Sequence, residues 1–145
     1  MSDRSVSVRD WALLALRLAI GITFIVHGYP KLFPSGPAGF SGFVGSLGFP
    51  APLFFAWVVT IVELFGGIAM ILGFLVRYVG TLMAVEMLVT TIRVKMAGGV
   101  GFIGARGAGW ELDFLLLAIA VTLTLLGPGA LSIDAALRSR RAATG

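Results

Sequence analysis

Residues 53–72 read LFFAWVVTIVELFGGIAMIL, a run of apolar side chains in which Glu63 is the only charged residue. About twenty consecutive apolar residues let an α-helix cross the ~30 Å hydrocarbon core of a bilayer. Because lipid offers no hydrogen-bond partners to the backbone, such a segment must satisfy its own peptide groups, and a helix does so. The stretch therefore predicts a membrane-spanning helix with a carboxylate near its middle.

Three further segments of the chain have the same apolar character, and they lie at residues 11–31, 75–96 and 110–127. Hydrophobic residues make up 58% of the chain and charged residues only 12%, well below the share of charge in soluble domains. These values predict an all-α integral membrane protein, with residues 1–145 forming one domain that is a bundle of four transmembrane helices. The expected location is the cell membrane, with the lipid bilayer as partner and no nucleic acid.

The connection between the first two predicted spans is PSGPAGFSGFVGSLGFPAP, residues 34–52, which is long and rich in Gly and Pro. Its larger apolar residues recur at helical spacing, namely Phe40, Phe43, Val44 and Leu47. This pattern predicts a short amphipathic helix on the outer membrane surface. Such a helix is either an interfacial anchor or a lid over whatever lies between the spans.

Orientation follows from the basic residues in the connections, since cytoplasmic loops carry an excess of Lys and Arg. With four spans, both termini lie on one side together with the turn between the second and third spans. That side holds six basic residues, Arg4, Arg9, Arg77, Arg138, Arg140 and Arg141. The opposite side holds four, Lys31, Arg93, Lys95 and Arg106. The excess predicts that the N- and C-termini are cytoplasmic.

Ionisable residues within or at the ends of the spans are the candidates for a functional site. A charge at the bilayer centre costs at least ~2.5 kcal/mol, and such residues usually face a bundle interior or a cavity. The candidates for ligand binding are Arg17, His27, Lys31, Glu63, Glu86, Arg93 and Asp113. Helical spacing puts Arg17 on one stripe of the first span with Gly28 and Lys31. We expect a polar pocket that opens outward, with Arg17, Glu63 and Glu86 as its floor.

The first predicted span ends in IVHGYPKLF, residues 25–33, which contains His27, the only histidine of the chain. Pro30 has no N–H to donate, so the helix should kink or stop here. The imidazole of His27 and the ammonium of Lys31 then lie at one depth, on or beside the stripe that carries Arg17. Of the two, Lys31 is the stronger candidate for the wall of the pocket.

A structural salt-bridge network, with Arg17 paired to Glu63 or Glu86, is the alternative explanation for these charges. A buried ion pair is weak evidence for stability, because desolvation can exceed the Coulomb gain. Packing a small bundle requires none of these residues, so the set as a whole favours a site.

The chain offers little for metal or covalent chemistry. The chain has a single histidine, no cysteine and no Glu-x-x-His pair, so no metal site is predicted. No Ser or Thr stands at a recognisable elbow or triad spacing, so catalytic residues stay unknown.

Taken together, several segments in chain order resemble the DoxX family of small four-helix bacterial and archaeal membrane proteins. The segments are RLAIGITFIVHGYPKLF, GFVGSLGFPAP, VELFGGIAMILGFLVR, GWELDFLLL and LLGPGALSID, which together extend from Arg17 to Asp134. Positions that match the family pattern are Arg17, Gly28, Lys31, Glu63, Arg77, Gly127, Pro128 and Gly129. His27 resembles a variant common in the family.

The resemblance implies a place in respiratory or redox-protective membrane assemblies, since relatives include a subunit of a thiosulfate:quinone oxidoreductase. The expected function is a membrane subunit of a quinone-linked redox complex that docks a quinone or similar small apolar ligand in the outward-facing pocket. Whether the chain is itself an enzyme is left open, and the resemblance is compatible with a non-catalytic or accessory subunit of a quinone-linked oxidoreductase. Redox partner proteins are expected, and a covalently bound cofactor is not. The alternative is a non-enzymatic membrane scaffold or small-molecule carrier, and a homodimer is compatible with both.

Overall fold

The computed structural model describes residues 6–144, and this range contains helices and connections but no strand. The helices are α1 (Val8–Leu32), α2 (Gly36–Ser46), α3 (Pro52–Leu72), α4 (Val76–Val89), α5 (Trp110–Leu126) and α6 (Ile133–Thr144). The all-helical prediction is confirmed. Arg4, which entered the orientation count, lies outside the described residues.

Two helices contain π-helical turns, in which the backbone bonds run from i to i+5 and the helix widens locally. One π-helical turn, Val62–Gly66, lies within α3, and another segment, Thr90–Met96, continues α4 without a break. Such turns are rare in proteins as a whole, but those that occur are often found at functional sites. Each one also shifts the register of the side chains that follow it, which matters for the site described below.

Helices α1 and α3, with 25 and 21 residues, are long and apolar enough to cross a membrane. The four apolar segments of the sequence all fold as helix, with ends within three residues of those expected. Pro30 lies inside α1, and the helix ends two residues after it, at Leu32. The short helix expected between the first two segments is confirmed as α2.

Close contact between α1 and α3 depends on glycines at their interface. A Cβ on Gly28 would lie 2.7 Å from the backbone nitrogen of Leu64 and 2.8 Å from Cβ of Glu63. A Cβ on Gly21 would likewise lie 2.8 Å from the carbonyl oxygen of Gly67. The stripe of α1 that carries Arg17 and both glycines is buried, as expected. This contact brings the C-terminal end of α1 against the π-helical turn of α3.

A layer of apolar side chains crosses the middle of the bundle. Ile20, Met70, Met83 and Leu123, one from each of α1, α3, α4 and α5, are fully buried and belong to a single core cluster. The layer divides the interior into an end with Arg17 and an end with Glu63, Glu86 and Asp113.

The connection between α5 and α6 closes the Arg17 end of the bundle. Asp134 accepts hydrogen bonds from the backbone N–H groups of Leu75 and Val76, at 2.9 and 3.1 Å, and so caps α4. The Arg77 guanidinium donates to the carbonyls of Thr124 and Leu125 at the end of α5, at 2.8 and 3.0 Å. Arg77 therefore caps a helix, which the sequence did not indicate.

Candidate functional site

A cavity of about 420 Å³ lies at the other end of the bundle, enclosed by α1, α2, α3, α4 with its π-helical extension, and α5. Its walls are mainly apolar, with Phe24 from α1, Phe40 and Val44 from α2, Val59 from α3 and Leu116 from α5. Mostly apolar cavities of ~300–1,000 Å³ with a few polar groups are typical binding sites for small molecules. The dimensions fit a ligand of the size of one or two rings.

Helix α2 forms one wall of this cavity. Phe40, Phe43, Val44 and Leu47, the residues that predicted the helix, all line the cavity. The sequence left open whether this helix is an interfacial anchor or a lid, and its position over the cavity agrees with a lid.

Six ionisable side chains line the cavity, and they are His27, Lys31, Glu63, Glu86, Lys95 and Asp113. Five of the seven candidates from the sequence are thus brought together, while Arg17 and Arg93 are not. Lys95 is the member that sequence reasoning missed. That these residues bind a ligand stays a prediction.

Lys31 and Glu63 form an ion pair at the inner wall of the cavity, between the Lys31 ammonium and Oε2 of Glu63. The ammonium also donates to the carbonyl of His27 at 3.3 Å and lies 5.1 Å from the ring centroid of Phe40. Glu63 is only 6% exposed, so water screens this pair weakly. Within residues 6–144, this ion pair is the one present, and Arg17 does not pair with Glu63 or Glu86.

The carboxyl group of Glu86 lies beside that of Glu63, close enough for the two to interact. Its Oε2 is buried and has no hydrogen-bond partner among the described residues. A buried polar atom without a partner costs about 1–3 kcal/mol, so a ligand that bonds this oxygen gains affinity from it. Lys31, Glu63 and Glu86 form what we call the polar triad.

A second polar group lies on the α5 side of the cavity. Asp113 is 5% exposed and accepts a hydrogen bond from the Thr91 hydroxyl at 3.4 Å. Lys95 and His27 lie close enough to Asp113 to interact with its charge. Asp113 is in the first turn of α5, where the positive end of the helix favours an acid.

Arg17 does not form the floor of the cavity, which corrects the expectation from the sequence. Its side chain, 1% exposed, lies on the far side of the apolar layer, where Nη2 donates to the Leu131 carbonyl at 2.5 Å. Nη1 approaches Gly73 so closely that a side chain there would collide with it. Arg17 therefore holds the α5–α6 connection against the bundle.

Arg93 also lies off the cavity wall. Its Nη2 donates to the Leu47 carbonyl at 2.7 Å, and the guanidinium lies 5.4 Å from the ring centroid of Phe49. In a regular α-helix, the seven-residue spacing would put Arg93, one of the candidates from the sequence, on the same face as Glu86. Because the segment Thr90–Met96 is π-helical, the register changes and Lys95 turns to the cavity in its place.

No group of three His, Cys, Asp or Glu side chains within residues 6–144 is arranged to hold a metal ion. Two of the polar groups of the cavity are instead paired across helices, Lys31 with Glu63 and Asp113 with Thr91. This arrangement suits a ligand that exchanges hydrogen bonds and protons.

Comparison with known proteins gives one family and several curated relatives, while no solved structure matches the chain significantly. The model of the family described as DoxX matches residues 12–96. CatD of Bacillus subtilis (strain 168), named as a candidate oxidoreductase, is 37% identical over 83% of this chain and 83% of its own. The membrane protein Rv3486 of Mycobacterium tuberculosis is 30% identical over 92% and 86%. The inner membrane protein YphA of Escherichia coli is 28% identical over 88% and 91%.

Proposed function

This chain belongs to the DoxX family of membrane proteins, and from that premise we propose that it is the ligand-docking membrane subunit of a quinone-linked redox complex. It docks a quinone or a similar small apolar ligand in the cavity beneath α2. The observation that carries the proposal is the cavity, in which apolar walls surround the polar triad on three helices. A relative that is named as a candidate oxidoreductase supports the redox assignment.

The cavity supplies what a quinone ring requires. Phe24, Phe40 and Leu116 provide apolar surface for the ring. The Lys31 ammonium is a donor for one carbonyl oxygen, and the neighbouring carboxyls of Glu63 and Glu86 are groups that exchange protons with a second oxygen. With one proton on the two carboxyls, the charge of the polar triad sums to zero, which suits a site surrounded by apolar side chains.

Electrons must come from a partner protein. The chain has one histidine and no cysteine, so it lacks the thiolates for an iron–sulfur cluster and the second histidine for bis-histidine haem. The role of this chain is then to hold the ligand in a fixed position, to exclude water and to provide proton-exchanging groups.

In the membrane, we place α1, α3, α4 with its extension, and α5 as four spans. The termini and α6 lie in the cytoplasm, and α2 lies on the outer side. Arg9 and Arg77 are at the same end of the bundle as α6, because each donates to a carbonyl at the end of α5. The cluster of basic side chains at this end agrees with the positive-inside bias.

The apolar layer favours docking over transport. A carrier needs polar groups along a path between the two sides of the membrane. In the described part of the chain, the side chains between the polar triad and Arg17 are apolar and fully buried, and they include Ile20, Met70 and Met83. A ligand in the cavity therefore has no polar route toward the α6 end.

The test is a titration of the purified protein in nanodiscs with a short-tailed ubiquinone or menaquinone analogue. We expect saturable binding that is lost in the double variant Lys31→Met, Glu63→Met. Replacing both members of a buried ion pair with apolar side chains of similar volume keeps the fold, whereas removing one leaves an unpaired charge. Tyr78→Phe, on an exposed site of α4, is the control. Absence of saturable binding, or equal binding by the double variant, would overturn the proposal.

A further inference from the structure

The gap between α3 and α4 is the feature that leads beyond the proposed function. The two helices form an antiparallel pair, and their contacts concentrate in the part of α3 that follows Ile61. Near the turn they are close, since a Cβ on Gly66 would lie 3.4 Å from Val79 and 3.6 Å from Met83. Towards Pro52, the helices diverge and leave a cleft that leads into the cavity.

The walls of this cleft are aliphatic. Val58 of α3 and Leu82, Val85 and Val89 of α4 line the cavity, yet they are 38%, 53%, 53% and 38% exposed. A side chain that both lines a cavity and reaches the surface marks an opening. With α3 and α4 as membrane spans, this opening faces the acyl chains of the lipid.

The other directions out of the cavity are less suited to an apolar molecule. Toward α6 the apolar layer is fully packed, with Ile20 and Met83 at 0% exposure. On the α2 side, Phe43 also lines the cavity and is 47% exposed. That side is nevertheless more polar than the cleft, because Arg93 donates to the Leu47 carbonyl and the Lys31 ammonium lies against Phe40. The α1 side carries the exposed imidazole of His27, which lies near the buried carboxyl of Asp113 and is therefore polar.

We infer that the ligand is a tailed amphiphile that enters from the hydrocarbon core of the membrane through the cleft between α3 and α4. Its polar head reaches the polar triad, and its aliphatic tail stays between Val58, Leu82 and Val85. The inference rests on the proposed function and adds to it the class of ligand and the route of entry. Each buried methylene of a tail improves affinity by about fourfold, so the cleft contributes to affinity and selects for a tail.

The experiment compares two probes, a benzoquinone with a decyl tail and the same ring without a tail, on protein in nanodiscs. Val85→Trp fills the cleft, and Leu88→Trp is the matched control. Leu88 lies on the same helix, is 47% exposed and does not line the cavity. We expect Val85→Trp to weaken binding of the tailed probe about tenfold, the loss that corresponds to about two unburied methylenes. Binding of the tail-less ring should stay within about twofold, and Leu88→Trp should change neither affinity.

A second measurement does not depend on a variant. A photoreactive diazirine at the end of the decyl tail should label peptides that contain Val58 or Leu82 in the wild-type protein. Labelling confined to α1 or α2, or equal effects of Val85→Trp and Leu88→Trp, would overturn the entry route while leaving docking intact. If neither probe binds the wild-type protein saturably, both the inference and the proposed function are wrong.

Discussion

Lys31 of α1 and Glu63 of α3 form an ion pair whose geometry depends on Gly28, one helical turn before the lysine. Because Gly28 has no side chain, the backbone of α1 lies against Leu64 and Glu63, and the lysine can reach the π-helical turn of α3. The pair joins the two helices at the wall of the cavity. It thus connects the packing of the bundle to the site.

Substituting Gly28 with alanine should destabilise the protein, because a Cβ there would lie 2.7 Å from a backbone atom that cannot rotate away. We expect a loss of about 1–3 kcal/mol, typical of overpacking in a well-packed interior. The measurement is thermal unfolding in detergent. Gly42→Ala in α2 is the control, since nothing lies within 4 Å of its added Cβ. A melting temperature for Gly28→Ala equal to that of the control would contradict the packing described here.

The variant Lys31→Met should leave the Glu63 carboxylate buried without its partner, at a cost of about 3–5 kcal/mol. Adding Glu63→Met should recover most of that stability, because the unpaired charge is then gone. A double-mutant cycle from unfolding curves measures the interaction between the two residues. If the effects of the single variants simply add in the double variant, the two side chains are not paired.

Arg17→Leu should lower stability without weakening ligand binding. The Leu131 carbonyl loses its donor in this variant, while the cavity lies beyond the apolar layer. We expect ligand affinity within about twofold of wild type, a difference of less than 0.5 kcal/mol. Unfolding and titration on the same preparation separate the two effects, with Arg17→Lys as the charge-keeping control. A stable Arg17→Leu protein that no longer binds would place Arg17 in the site after all.

Single-cysteine variants test the arrangement in the membrane, and the natural chain is a clean background because it has no cysteine. A membrane-impermeant maleimide should label Ser46→Cys and Ala105→Cys in intact cells. Ser139→Cys, in α6, should react only after permeabilisation. The opposite pattern would reverse the orientation, and labelling of Ser46 and Ala105 from different sides would contradict four spans.

The helices could be predicted from the sequence because the length and continuity of apolar runs determine where a chain can be helical in lipid. The burial of Gly28 and Glu63 could also be predicted, from helical spacing and from the cost of exposing a carboxylate to lipid. These two features follow from local properties of one segment.

The placement of Arg17 could not be obtained in this way, because it depends on which residues of different helices meet. Fourteen residues separate Arg17 from Lys31, and at 1.5 Å per residue they lie ~21 Å apart along α1. Once Lys31 meets Glu63, Arg17 is too far away to do so. Similarly, Lys95 lines the cavity where Arg93 was expected, because the segment Thr90–Met96 is π-helical. The residue types alone do not reveal this change of register.

The most direct test of a docking site at the polar triad is the affinity of a decyl-tailed quinone for Glu86→Met, measured against Glu111→Met. Both glutamates have a buried Oε2 without a partner in the part of the chain that is described, but only Glu86 lines the cavity. We predict that Glu86→Met binds about tenfold more weakly, near the upper end of what a single hydrogen bond contributes, and that Glu111→Met binds as the wild type does. Equal affinities for wild type and Glu86→Met would contradict the proposed site.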